Sequence, residues 1–303
     1  MNQLLPAHRE HPRQFEDFRF VYPVLSRRSG GISIGINANP DRTCNFNCLY
    51  CQVNRLGAPP PVPFDLATAE KELRTMRKLA QSGALARHPM FREAPPALKR
   101  VRDVAISGDG EPTLLPNFAE IVEMVARVKS PAWKLVLLTN AAGLHRPEVK
   151  RALTILDAHN GEVWAKLDAG TEAYFKLIGR SSVPFQRILK NLKDCARHRP
   201  IVIQSLFIKL YGQGPSADEI AAYCERLREI VAAGGHIKLV QVSTIARQPR
   251  ATIHGQPAWQ LITALSDIEL DAIRACIEHR TKLPTKSYYG AWRSAQSTKA
   301  RCT

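Results

Sequence analysis

At 303 residues the chain is long enough to bury a full core, and 45% hydrophobic with 23% charged residues excludes a disordered or fibrous protein. No apolar run approaches the roughly 18 residues a membrane span needs, and Met1–Pro12 lacks the apolar centre of a secretory signal, so a cytoplasmic protein with no membrane partner is expected. The formal net charge of +16 points to a polyanionic partner, nucleic acid first, or else to a solvated basic surface.

Met1 to Phe20 is polar and reads as a loosely held arm. Phe20–Pro23 and Ile32–Ala38 have short apolar or alternating patterns of strand type, divided by Gly30-Gly31. The second reads as the first core strand. Past a Pro-rich link at residues 57–63, Asp65–Ser82 has helical periodicity, with Leu66, Leu73, Met76 and Leu79 on one stripe and Gly83 as its stop. Ala84–Arg100 is basic and proline-bearing and fits no element. Val101–Ser107 reads as a second strand, followed by Gly108-Asp109-Gly110-Glu111-Pro112-Thr113. Alternating elements continue with helices over Asn117–Lys129, Arg146–Leu156 and Phe185–Arg197 and strands over Lys134–Leu138, Glu162–Leu167 and Ile201–Leu210. Gln204 and Ser205 lie inside that last apolar run, where polar groups need partners and a bound cofactor is one way to supply them. Ser216–Ala233 is a helix with a capping-box pattern of Ser216 and Glu219, and Ile237–Ile245 is the sixth strand. Asp267–Arg280 is a further helix, and Thr281–Thr303 a basic stretch without clear periodicity. Six strand-helix repeats imply an α/β fold, an open partial (β/α)6 barrel with chemistry on the loops after the strands.

One such loop carries Cys44-Asn45-Phe46-Asn47-Cys48-Leu49-Tyr50-Cys51, directly after the first core strand. Three thiols at i, i+4 and i+7 can ligate one metal centre, and thiolates favour iron-sulfur clusters or zinc. A 4Fe-4S cube normally takes four cysteines, so Cys44, Cys48 and Cys51 would leave one iron open to chemistry. Cys195, Cys224, Cys276 and Cys302 are scattered, and an odd total of seven without framework spacing argues against disulfides and against a second cluster.

With Tyr50 before the last Cys, this motif resembles the cluster loop of the radical S-adenosylmethionine (radical SAM) superfamily. Ser26-Arg27-Arg28, Gly35-Ile36-Asn37 and Ser107–Thr113 are similar, more narrowly, to the iron-sulfur oxidoreductases related to wyosine-base formation. The resemblance runs from about Tyr22 to Pro249 and implies an arm at 1–21, a radical SAM core at 22–249 and a basic C-terminal extension at 250–303. It implies a 4Fe-4S cluster on the three cysteines, SAM on the open iron, and a reductant such as flavodoxin or ferredoxin. By the same resemblance Tyr50, Gly108, Gly110 and Glu111 belong to the cofactor site, with the Glu111 segment facing the amino group of SAM. Asp109 stands where the family more often has Gly.

Asp168 divides between a helix cap and a contact to the SAM ribose or carboxylate, and Asn140 between a turn residue and a ligand contact. Gln204 and Ser205 join them as cofactor-binding candidates, and Arg247 divides between a carboxylate of SAM or substrate and a surface pair. Asn45 and Asn47 could hydrogen-bond to sulfur or merely suit the turns. No catalytic residue can be named. The expected activity is reductive cleavage of SAM to a 5'-deoxyadenosyl radical that abstracts hydrogen from RNA or a nucleotide-like molecule. The alternatives are a peptide or small-metabolite substrate, and a non-catalytic electron-transfer protein. Two basic runs favour the first: Arg74–Arg102, and Arg280–Arg301 with Tyr288, Tyr289 and Trp292 interleaved.

Overall fold

Gly31–Asn37 is buried at every position, the pattern of a strand covered on both faces in a parallel sheet. In the computed structural model, which describes residues 5, 13–55, 63–253 and 255–290, the chain divides into two compact units. One comprises Leu5–Cys44 with Pro59–Ala165, the other Asn45–Ala58 with Lys166 onward.

In the first unit β1 (Val21–Ser26) folds back antiparallel on β2 (Gly31–Asn37), with Gly30 in the left-handed turn position at φ 67°. Parallel neighbours follow in the order β3 (Val101–Ser107), β4 (Lys134–Thr139) and β5 (Gly161–Lys166), aligned Ile34 to Val104, Val104 to Leu135 and Leu137 to Val163. The crossovers are α1 (Leu66–Gln81), α2 (Phe118–Val128) and α3 (Pro147–Ala158). Asp65 caps α1 by accepting from Ala67 and Thr68 N–H, and Gly83 at φ 74° follows its end.

The buried Glu72 of α1 accepts from the backbone N–H of Arg19, Phe20 and Val21 at 2.8, 2.9 and 3.0 Å. The expected loose arm is therefore tied down over its last residues, where Phe15 is buried as well. Residues 1–4 and 6–12 of the arm lie outside the described residues, as does most of the Pro-rich link. The unassigned stretch after α1 forms one helical turn, Ala84–Arg87, and two 3-10 turns, Pro89–Phe91 and Pro96–Leu98.

The second unit continues with α4 (Glu172–Gly179), α5 (Phe185–His198), β6 (Ile201–Leu206), β7 (Ile208–Leu210), α6 (Ala217–Ala232) and β8 (Ile237–Ser243). Short strands β9 (Thr252–Ile253), β10 (Gln256–Pro257) and β11 (Ile262–Ala264) precede α7 (Asp267–Thr281) and β12 (Thr285–Tyr288). The expected alternation of strand and helix is met in both units.

Four differences from the sequence reading have local causes. The helix α4 was not expected; Thr171 caps it, accepting from Tyr174 N–H, but eight residues give little periodicity to read. The expected single strand Ile201–Leu210 is two, because Asp168 takes the Leu206 N–H and Ser243 the Phe207 N–H, after which β7 leaves the sheet to pair antiparallel with β11. Glu219 does not close a capping box on Ser216: its carboxylate instead accepts from Gly170 N–H and the Thr171 hydroxyl. Finally, the stretch from Thr281 read as aperiodic contains β12, which lies parallel to β8 and makes the local strand order β6-β8-β12.

Candidate functional site

In the first unit the turn after β3 is built against the chain leading to Cys44. A Cβ on Gly110 would run into the Thr43 carbonyl and the Asn39 side chain, and one on Gly108, at φ 133°, into Asn37. Both glycines are thus required by close backbone approach. Glu111 N–H donates to Thr43 O at 3.0 Å, clamping the turn to the cysteine loop. Asn37 accepts from Asp109 N–H and donates to its carboxylate, and Arg13 pairs with the same carboxylate. Asp109 therefore anchors the arm.

Glu111 is 2% exposed. Its carboxylate accepts from the hydroxyls of Thr113 and Thr139, both at 2.6 Å, and from Asn140 N–H at 2.7 Å, joining the ends of β3 and β4. Burial pushes its pKa up, against those hydrogen bonds. Asn140 in turn lies against Cys44, its Nδ2 at 3.9 Å from the sulfur.

Asn39 was not singled out from the sequence, where Asn-Pro reads as a turn. It is 1% exposed, and neither the oxygen nor the nitrogen of its side-chain amide has a hydrogen-bond partner among the described residues. A buried amide left so costs roughly 1–3 kcal/mol, and this one lies beside Gly110 and five residues before Cys44. Such an orphan fits a polar group that binds there, and SAM supplies both donors and acceptors.

In the second unit the loop carrying Cys48 and Cys51 is held by its backbone. Asn47 and Leu49 N–H donate to Gly179 and Ile178 O at the end of α4, the Ser181 hydroxyl to Asn45 O, and Arg250 N–H to Cys51 O at 2.7 Å. Arg247 donates to Gln52 Oε1 at 2.7 Å. Leu49 and Tyr50 are buried with Ile178, Ile208 and Ile245, and Cys48 and Leu206 pack against that cluster.

The Tyr50 hydroxyl donates to Asp168, whose other oxygen accepts from Leu206 N–H at 2.8 Å and pairs with Lys166 Nζ at 3.1 Å. Lys166 also stands 5.0 Å from the Tyr50 ring centroid. Burial, then the charge of Asp168, pushes the Cys48 thiol up to about 12, while Lys166 opposes. A thiol in that state ionises readily only against a metal.

Arg55 lies at 3.7 Å from the Cys51 sulfur. Among the described residues no disulfide forms, and no group of three or more His, Cys, Asp or Glu side chains is gathered for a metal ion. What the loop offers is three part-exposed thiols with N–H donors nearby, a donor set that suits an iron-sulfur cluster.

Gln204 and Ser205 point to opposite faces of β6. Ser205 faces α6, bonded to Leu167 O at 2.6 Å and the Tyr223 hydroxyl at 2.5 Å, while Gln204 bonds the Gln241 side chain at 3.0 Å. Of the second basic run, Tyr288 is buried and the Tyr289 hydroxyl is bonded to Asp271; Trp292, Arg293, Lys299, Arg301 and Cys302 lie outside the described residues.

Over 230 residues the chain is 27% identical to a UPF0026 protein of Helicobacter pylori, covering 74% of this chain and 65% of that one. It is 28% identical over 181 residues to a protein named GTPase Obg from Brachyspira hyodysenteriae, covering 59% of this chain. The chain spans only 23% of that relative's length, and it holds no G-x-x-x-x-G-K-[ST] phosphate loop.

A solved structure of TYW1 with a lysine-pyruvate adduct bound superposes with a TM-score of 0.50 at 17% identity, covering 88% of this chain and 77% of that one. That likeness shows the fold, an α/β partial (β/α)6 barrel of the radical SAM type. The profile of the Radical SAM superfamily, whose members are iron-sulfur enzymes using SAM, matches residues 39–224, a span that takes in Asn39, the three cysteines, Glu111 and Asp168. This chain belongs to the Radical SAM superfamily.

Proposed function

We propose that the protein is a radical SAM enzyme in which Cys44, Cys48 and Cys51 hold a 4Fe-4S cluster, acting on RNA or a nucleotide-like molecule. Held by these three cysteines, such a cluster would supply the electron for reductive cleavage of SAM and so the means to abstract hydrogen from a substrate. The observation that carries this reading is the part-exposed C-x3-C-x2-C loop, whose backbone is bonded at Asn45, Asn47, Leu49 and Cys51. These bonds hold the backbone on which Cys48 and Cys51 stand, and the sulfurs would converge on the metal by side-chain rotation.

The chain's own residues divide the work. Glu111 ties the turn after β3 to the end of β4, so that Gly108, Gly110 and the orphan amide of Asn39 face SAM. Asn140 and Arg55 direct N–H groups at two of the sulfurs, an arrangement that tunes cluster potential. Asp168 is a positioning residue that fixes Tyr50 and pairs with Lys166, and Gln204 is left to meet ligand. The net charge of +16 supports an anionic substrate, and flavodoxin or ferredoxin fits as reductant. No helix among the described residues is long and apolar enough to cross a membrane.

The test is anaerobic reconstitution with iron and sulfide, reduction with dithionite, addition of SAM and measurement of 5'-deoxyadenosine. Wild-type protein is expected to produce it, and a variant with Cys44, Cys48 and Cys51 all changed to Ala to produce none. Iron-loaded protein that never cleaves SAM, even with oligoribonucleotides and nucleotides present, would leave the electron-transfer reading in its place. Zinc binding in preference to iron would remove the premise.

A further inference from the structure

The face of the second unit's sheet that bears the cysteine loop carries a polar row that the family match reaches only at its first member, Gln204. Direction along each strand identifies this face. Ser205 on β6 points to Tyr223 of α6, and Ser287 on β12 points to Asp271 of α7, at 2.7 Å. Side chains alternate along a strand, so Gln204, Leu206, Lys286 and Tyr288 occupy the opposite face, where Leu206 packs against the apolar cluster that includes Leu49 and Tyr50.

The register then sets three polar residues side by side, Gln204 opposite Gln241 and Gln241 opposite Lys286. Gln241 and Lys286 both lie beyond residue 224, where the superfamily profile ends.

Gln204 and Gln241 are 6% and 2% exposed. Each amide has one acceptor oxygen and one donor nitrogen, and a single bond joins them, Gln204 Nε2 to Gln241 Oε1 at 3.0 Å. Gln204 Oε1 and Gln241 Nε2 have no partner among the described residues, and neither is sealed from solvent. Reversing both amide assignments leaves the same pair, one free acceptor beside one free donor.

The two amides leave one acceptor and one donor side by side and open to solvent on an otherwise buried strand pair, and a ligand edge with a neighbouring donor and acceptor would meet both. Nucleobase edges have that pattern, and Gln is a common reader of it. Lys286 is exposed at the end of the row, Nζ 5.6 Å from the Tyr288 ring centroid. At a strand spacing of about 4.8 Å, the row spans roughly 10 Å from Gln204 to Lys286, comparable to a nucleotide from base edge to phosphate.

We propose that Gln204, Gln241 and Lys286 form a nucleotide subsite, the two amides reading the base edge and the Lys286 ammonium pairing with a phosphate. The subsite rests on the reading of the protein as an enzyme of nucleotide-like substrates, and names how one is held. SAM also carries an adenine, but its one carboxylate is, by the family resemblance, taken by the open iron and not left for Lys286. The chemistry of the row therefore favours a nucleotide over SAM.

The test is equilibrium dialysis of the reconstituted full chain with AMP, GMP, CMP, UMP, their nucleosides and SAM. One or more monophosphates are expected to bind, and Gln241→Leu to weaken them at least tenfold more than it weakens SAM. Lys286→Ala is expected to weaken a monophosphate about tenfold while leaving its nucleoside within twofold. Should Gln241→Leu fail to fold, the exposed Lys286 decides alone, and equal losses for nucleotide and nucleoside, or none, overturn the proposal.

Gln241→Leu weakening SAM as much as nucleotide would assign the row to the adenine of SAM and also overturn it. Measuring 5'-deoxyadenosine in the same preparations keeps the two readings apart. Protein that cleaves SAM but binds none of the four monophosphates loses the subsite and keeps its class. Protein that binds nucleotide through these residues but never cleaves SAM keeps the subsite and loses the class.

Discussion

Asp168 illustrates how a site residue can be filled by its own protein. Its two oxygens are occupied by the Tyr50 hydroxyl, Leu206 N–H and Lys166, which makes it a pin between the cysteine loop and the end of β6. Asp168→Asn keeps an acceptor for Leu206 but turns an NH2 toward Tyr50. A loss of about 1–2 kcal/mol is expected in urea unfolding, with the Tyr50 hydroxyl now accepting instead of donating; Tyr50→Phe should cost little more only in an Asp168→Ala background, where no partner for the hydroxyl is left.

Asp103 on β3 makes a separate prediction about pH. Burial raises its pKa, opposed by the hydroxyls of Ser29 and Ser33 and by Lys134. The folded state thus holds a proton that the unfolded chain, near 3.8, has lost. Stability from this group is fully present below that pH and is lost as pH rises through the raised folded value. Asp103→Asn should therefore flatten the rise of stability toward acid pH and leave a higher melting temperature at pH 7.

At this scale Cys44, Cys48 and Cys51 were legible because their spacing is itself the signal. Asn39 was not, since its interest lies in the partners it lacks, which no local pattern encodes.

Elements were legible where apolar periodicity is long, as in α1 or the wholly buried β2, and illegible where a distant contact decides. The break at Phe207 depends on Asp168 and Ser243, 39 and 36 residues away in sequence, so an unbroken apolar run reads as one strand. Glu219 is the same case, since a Ser-x-x-Glu pattern fits a capping box whether or not the Glu is claimed elsewhere. Its carboxylate holds Gly170 and Thr171 at the start of α4.

Ser216→Ala should cost about 1 kcal/mol, the usual value of an N-cap. Glu219→Ala should cost about 2–3 kcal/mol, since it leaves a buried N–H and a hydroxyl unmet. Chemical denaturation of the two variants side by side checks the difference, and a reciprocal capping box would make them alike.

For the whole molecule, composition and order of elements specified the α/β class, but not which residues form the edge of the second unit's sheet. Thr285–Tyr288 is four residues with one large apolar side chain, too short to read as a strand, yet it pairs with β8 along its whole length. Ending the chain after Lys282 uncovers that edge. The expected outcome is a lower melting temperature and self-association in light scattering, because an unpaired strand edge invites pairing with another copy. The positive charge, by contrast, was legible at once, and it predicts RNA binding that weakens steeply between 50 and 200 mM salt in a mobility assay, by the release of roughly one counterion per phosphate met.

The bond from Arg250 N–H to the Cys51 carbonyl also has a meaning in time. Those residues are about 200 positions apart, and at about 5–20 residues per second a ribosome needs roughly 10–40 s to deliver the second after the first. For that interval the three thiols leave the tunnel before the backbone that later fixes them exists. With the proposed cluster on these thiols, loading of iron and sulfide and completion of the fold become competing clocks, and slowing translation between Cys51 and Arg250 should change how much of the protein emerges iron-loaded.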